Sequence, residues 1–287
     1  MSSGGEAAGP SAGKAPVPPL PACGERRICT TGMPRRDSGV AVPHPHPPTL
    51  TQGPPVDSSI IQGISTFRGS VFPGQQRMYE RLVRDGQQPK ALIIACADSR
   101  VAPEHITQAG PGELFVCRNA GNIVPPFSQM NGGVSSAIEY AVVALGVRDI
   151  VVCGHSDCGA MKGLMQPGAL AAMPNVAAWL RHSHAADRIV CEAYPDDIDP
   201  KDRLRALALE NVVVQLAHLR THPSVAAALA KGGLSLHGWF FEIETGALHA
   251  YDGRRFVTLT DDGALPVAEV STPRRAAADL PVRVAAE

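Results

Sequence analysis

The sequence has no excess of charge of either sign: 26 Lys and Arg stand against 27 Asp and Glu in 287 residues. So balanced a chain offers no basic patch for a phosphate backbone and no polybasic stretch for an anionic bilayer, and neither nucleic-acid nor membrane partners are expected. Long apolar runs are missing as well. None approaches the roughly 18 residues that a spanning helix needs, and the first residues lack the apolar stretch of a secretory signal, so a cytoplasmic location is expected. Cysteines are few and odd in number. The seven (Cys23, Cys29, Cys96, Cys117, Cys153, Cys158 and Cys191) sit in a chain whose 44% hydrophobic content can fill a core without covalent staples. That excludes a disulfide framework as the default and leaves metal binding or plain burial.

Twelve of the 26 prolines fall in the first 55 residues, in pieces such as "PVPPLP" and "PHPHPPT". Such a composition cannot cover a core, so residues 1–57 are expected to be a disordered tail and His44 and His46 to be solvated rather than metal-binding. From 58 to 262 the texture changes. "QQRMYERLVRDG" reads as a helix stopped at Gly86, "ALIIAC", "LFVCRN" and "DIVVCGH" as buried strands, and "GVSSAIEYAVVAL" as a helix ended by Gly146. Leu204, Leu207, Val212, Leu216 and Leu219 recur near helical spacing until Pro223, and "LSLHGWFFEIETGALHAYD" reads as two strands about the turn "ETGA". Apolar strands alternating with helices predict an α/β fold. It should have a mainly parallel sheet flanked by helices, an antiparallel addition at its edge, and a ligand site at the strands' carboxyl ends. Residues 263–287 read as a flexible tail. Cys117 and Cys153, inside apolar strands, are expected to be small core residues, and His237 a packed core histidine.

The carboxyl ends of two strands carry the chemistry. In "CADSR", Cys96, Asp98 and Arg100 occupy alternate positions, which face one side if extended geometry persists past the strand. In "GHSDCGA", His155 and Cys158 stand three residues apart, a spacing that one helical turn or a tight loop puts on one side. Two thiolates, an imidazole and a carboxylate suit tetrahedral zinc, and the soft sulfurs exclude calcium and magnesium. Cys96, His155 and Cys158 alone leave a position open, as in catalytic sites. Asp98 either closes that position or, held by Arg100 in a bidentate pair, leaves it to water. Two thiolates neutralise the ion and should acidify water less than three histidines do, so Asp98 is also a candidate to accept a hydrogen bond from that water.

"CADSR", then "RNAGNIVPP", then "GHSDCGA", in that order, resemble the β-class carbonic anhydrases, and "GQQPKALIIA", "SSAIEYAV" and "LHGWFFEIETG" extend the likeness over roughly 58–252. The resemblance implies zinc held by Cys96, His155 and Cys158, with Asp98 as a replaceable fourth ligand and Arg100 as its partner. It also implies a substrate cavity at a subunit contact lined by Gln87, Phe115 and Tyr140, and a homodimer or larger homo-oligomer in which the "QQRMYERLVRDG" helix is an arm around a neighbour. One kind of member has a tryptophan on the strand before the first cysteine that binds bicarbonate and favours the closed state. Here Trp179 and Trp239 both come later, which points to an open site.

The expected activity is reversible hydration of carbon dioxide to bicarbonate and a proton by zinc-bound hydroxide, Phe115 and other apolar walls holding the substrate and Gln87 bonding one of its oxygens. Two alternatives use the same residues: hydrolysis of carbonyl sulfide or carbon disulfide, and a non-catalytic zinc-binding interaction module with Asp98 permanently on the metal.

Overall fold

The computed structural model describes residues 56–128 and 132–259, so most of the expected proline-rich head and the whole 263–287 tail, with His44 and His46, lie outside the described residues. Six strands form one sheet in the order β2-β1-β3-β4-β5-β6. β1 (Ala91–Cys96), β2 (Leu114–Asn119), β3 (Asp149–His155) and β4 (Ser235–Phe241) run parallel, and β5 (Leu248–Tyr251) and β6 (Phe256–Thr258) add antiparallel at one edge. The first three strands coincide with the apolar runs read from the sequence: β1 and β3, buried on both faces, are written as continuous hydrophobic residues, and β2 is a half-buried edge strand. β6, three residues long, carries too little pattern to be read.

Helices α1 (Ser58–Thr66) and α2 (Phe72–Asp85) precede the sheet, and α3 (Pro103–Ile106) follows β1. α4 (Gly133–Glu139) continues as a wider turn through Ala144 before β3. α5 (Gly159–Met165), α6 (Pro174–Leu180), α7 (His184–Ala193), α8 (Pro200–Leu219) and α9 (Pro223–Ala230) fill the crossover from β3 to β4. No helix among the described residues is long and apolar enough to cross a membrane.

The larger core lies on the face of the sheet that carries Leu92, Ile94, Ile150 and Val152, under Leu207, Val212 and Leu219 of α8. The opposite face holds a smaller cluster of Ile93, Ala95, Val151 and Cys153. Cys153 is buried as expected, and Cys117 is half-buried on the edge strand β2. His237 is a correction. Its side chain is 42% exposed and Nε2 lies 2.8 Å from Asp149 Oδ1, because β4 begins at the sheet's open end, where the start of β3 supplies a carboxylate instead of a core.

α8 approaches the sheet closely because β3 and β4 present glycine beneath it. A Cβ on Gly154 would lie 2.6 Å from Val212 Cγ2, and one on Gly238 would lie 2.9 Å from Val212 Cγ1. Gly154→Ala is therefore expected to lower stability by about 1–3 kcal/mol through overpacking, read as a shift of the urea unfolding midpoint. Combined with Val212→Ala, the loss should be smaller than the sum of the two single losses, since each change relieves the other.

Candidate metal centre

β1 and β3 are neighbours, paired with Ala95 opposite Cys153, so Cys96 and His155 emerge at the same end of adjacent strands. Beyond His155 the chain turns through Ser156 and Asp157, whose φ of 58° is left-handed, and Cys158 caps the start of α5. This turn brings Cys158 back over the strand ends. The ligand atoms of Cys96, His155 and Cys158 lie within 4.8 Å of one another, and all three residues are buried.

The donor set fits a metal ion. His155 Nδ1 lies 2.8 Å from the carbonyl of Ser156 and donates to it, which leaves Nε2 as the bare lone-pair nitrogen. That Nε2 is fully buried and has no hydrogen-bond partner, an arrangement that costs free energy unless something binds there. The sulfurs complement it. Cys96 is pulled down to about 4, first by the Cys158 thiol and also by the Gly121 N–H 3.4 Å from its Sγ, whereas the same pairing with Cys96 and burial push Cys158 up. Both sulfurs ligate as thiolates, so an ion that binds here displaces the protons the pair carries.

Asp98 is not part of this cluster. Its Oδ1 accepts from the Arg100 backbone N–H at 3.0 Å and from Nε at 2.9 Å, while Oδ2 accepts from Nη2 at 2.7 Å. The Arg100 fork holds the carboxyl far below the usual carboxylate range. Of the two arrangements foreseen for Asp98, the chain adopts the one turned to Arg100. Three further residues build this edge, among them Asp157, which by its place between the ligands reads as a cap or a surface acid. Asp157 accepts from Arg100 Nη1 at 2.9 Å and pairs with Lys162, so Arg100 is gripped between two carboxylates. Arg118 donates to the carbonyls of Cys96, Asp98 and Val101 at 3.1, 2.7 and 2.5 Å and fixes the path of the whole "CADSR" turn. The signal for Arg118 was available: it is a charged residue within the apolar strand "LFVCRN".

A cavity of about 530 Å³ opens onto Cys96 and Asp98, its far wall made of Ala160, Leu170, Val176 and Leu180. Gln87, Phe115 and Tyr140 are not among its lining residues. Gln87 is exposed just after α2. Phe115 is half-buried on the edge strand β2, with its ring 5.9 Å from that of Tyr140, which is 50% exposed. Phe115 packs against the larger core, and Tyr140 is the more exposed of the two rings.

Comparison with known proteins agrees with this geometry. A family model described as carbonic anhydrase matches residues 91–248. A carbonic anhydrase of Pseudomonas aeruginosa is 52% identical over 204 residues, covering 70% of this chain and 91% of the relative. The solved structure of the β-carbonic anhydrase CcaA superposes with a TM-score of 0.67 at 45% identity, over 70% of this chain and 98% of that one. One of two β-carbonic anhydrases from Sordaria macrospora, described as tetrameric, superposes at 0.62 with 31% identity, over 68% and 96%. With its metal-binding strand ends inside the matched segment and relatives of this identity covering most of its folded part, the chain belongs to the β-class carbonic anhydrases.

Proposed function

We propose that Cys96, His155 and Cys158 hold one zinc ion and that Asp98 and Arg100 work beside it in the reversible hydration of carbon dioxide to bicarbonate and a proton. The observation that carries this reading is the buried sulfur–nitrogen–sulfur set whose imidazole Nε2 has no other partner. Two soft sulfurs with one imidazole favour zinc over hard cations. Bound there, zinc supplies Lewis acidity that makes water at an open coordination position a nucleophile at neutral pH.

The chain's own groups do the rest. Arg100 keeps Asp98 ionised and turned toward its own guanidinium, which would leave an open position on a bound ion to water. Asp98 already accepts three bonds from Arg100, which leaves one acceptor site on Oδ2 to take a hydrogen bond from the attacking water and aim it. The apolar wall of Ala160, Leu170, Val176 and Leu180 admits an uncharged linear molecule without demanding hydrogen bonds from it. Bicarbonate, once formed, is an anion in a largely apolar pocket and leaves; the proton passes to buffer. Neither carbonyl sulfide or carbon disulfide hydrolysis nor a non-catalytic module is favoured, since the relatives are carbonic anhydrases and Arg100 is engaged with Asp98.

The assembly belongs to the same proposal. No residue of α1 or α2 is buried, and Ile60, Ile61, Ile64, Phe67 and Val71 are all exposed. An apolar face of this extent needs a cover, and a second copy of the chain is the one we assign, in a homodimer or a larger homo-oligomer. Across such a contact Gln87, Phe115 and Tyr140 would line a neighbour's cavity, the aromatics bounding the substrate and Gln87 donating to its oxygen. The catalytic unit is 58–262, with 1–57 and 263–287 as tails outside it, in a cytoplasmic protein.

Three outcomes are expected. Cys158→Ala should lose zinc, measured by elemental analysis, and lose more hydration activity in stopped flow than the about 10–100-fold that removal of an outer partner costs. Arg100→Ala should free Asp98 to take the fourth position. X-ray absorption should then show two sulfurs with a protein carboxylate on zinc, and activity should fall at least about 10-fold while zinc content is unchanged. Replacing Ile61 and Ile64 with Asp should shift sedimentation toward a single chain and lower activity, whereas a variant that still sediments as the wild type would remove the arm from the contact.

A further inference from the structure

The turn "NAGNI", Asn119–Ile123, is where the metal centre meets the rest of the protein. Gly121 sits there with a φ of 81°, and a Cβ on it would meet Ala160 Cβ and Met161 Cε at 3.2 Å, so the turn is pressed against α5 with no room to drift. Its N–H points at Cys96 Sγ, 3.4 Å away. That N–H belongs to the same peptide group as the carbonyl of Ala120, and this carbonyl accepts from Trp179 Nε1 at 2.9 Å. The next peptide group is gripped as well: the carbonyl of Gly121 accepts from Asn211 Nδ2 at 3.0 Å. Asn211 is 1% exposed, and its Oδ1 is itself fixed by Ser183 Oγ at 2.7 Å and Gln215 Nε2 at 2.8 Å.

We propose that Trp179 and Asn211 are positioning residues that lock the two peptide groups flanking Gly121 and so aim its N–H at the Cys96 sulfur. Their hydrogen bonds go to the backbone of the turn, and they act through it. A donor on a metal-bound thiolate withdraws charge from the sulfur and orients its lone pairs, so the ion keeps more of its Lewis acidity and is held longer. The indole N–H on Ala120 adds to the effect, because polarising one end of a peptide strengthens the hydrogen bond given by the other. In a centre with two anionic sulfurs, one supported sulfur offsets part of the electron donation that would otherwise blunt the ion.

This inference rests on the zinc reading above, and its test separates the two. The full chain is loaded with cobalt(II), and the sulfur-to-cobalt charge-transfer band is recorded together with the rate of metal loss to a chelator. Trp179→Phe keeps an aromatic ring and removes only the donor; Asn211→Leu keeps the approximate volume and removes its donor. Both are expected to move the band to lower energy and to speed metal loss by about 10-fold or more. Leu219→Ala, which removes core packing from α8 but no hydrogen bond to the turn or to Asn211, serves as the control for a general structural effect and should leave the band in place. Should Asn211→Leu fail to fold, the cadmium-113-loaded wild type gives a direct reading: a scalar coupling between the Gly121 amide proton and the metal is expected. Unchanged bands in the folded variants, an equal shift in Leu219→Ala, or no such coupling would overturn the assignment while leaving the zinc site standing. A wild-type chain that binds neither cobalt nor cadmium would overturn both.

Discussion

The register of β1 against β3 is the constraint on which everything at the site depends. Cys96 and His155 are 59 residues apart in the chain, and they meet only because Ala95 lies opposite Cys153 in a parallel pair. A slip of one residue would turn every side chain of a strand to the other face, sending Cys96 away from His155 and Ile94 out of the larger core. The apolar residues on both faces, Leu92 and Ile94 on one and Ile93 and Ala95 on the other, make that slip costly. Core packing and metal geometry are therefore one specification.

Around this frame the charges are arranged as a chain of partners. Lys162, Asp157, Arg100 and Asp98 follow one another, each cation between carboxylates or beside one. Arg100 and Asp157 are about half exposed, so their separate Coulombic gain is small in solvent. Geometry is the stronger effect. The bidentate fork on Asp98 and the three carbonyls held by Arg118 leave the carboxylate few other orientations.

The polar face of α8 plays a second organising part. Glu210, Asn211 and Gln215 are buried among leucines and valines, and each is hydrogen-bonded: Glu210 to Tyr194, Asn211 to Gly121 and Ser183, Gln215 to the N–H of Val124. The helical spacing of Leu204, Leu207, Val212, Leu216 and Leu219 marks the helix and its apolar stripe correctly. It says nothing of the polar residues between them, because periodicity distinguishes faces by hydrophobicity and takes a buried amide for a solvated one. Tyr140 and Phe115 show the same limit from the other side. Each reads as a cavity aromatic by resemblance, yet neither lines the cavity beside Cys96: Phe115 packs against the larger core and Tyr140 stands half exposed against its ring.

By itself the sequence determined the first five strands, the family, and the ligand candidates Cys96, His155 and Cys158. Continuous apolar runs report burial on both faces, and soft ligands at strand ends are too rare a coincidence to be packing. Only the tertiary structure decided which of its two partners Asp98 takes, that Asp157 grips Arg100, and that Trp179 and Asn211 reach the peptides around Gly121. Those contacts join residues up to 90 positions apart, on elements whose relative placement is set by the sheet register and by the closeness of α8 over Gly154 and Gly238, and no local pattern encodes that distance.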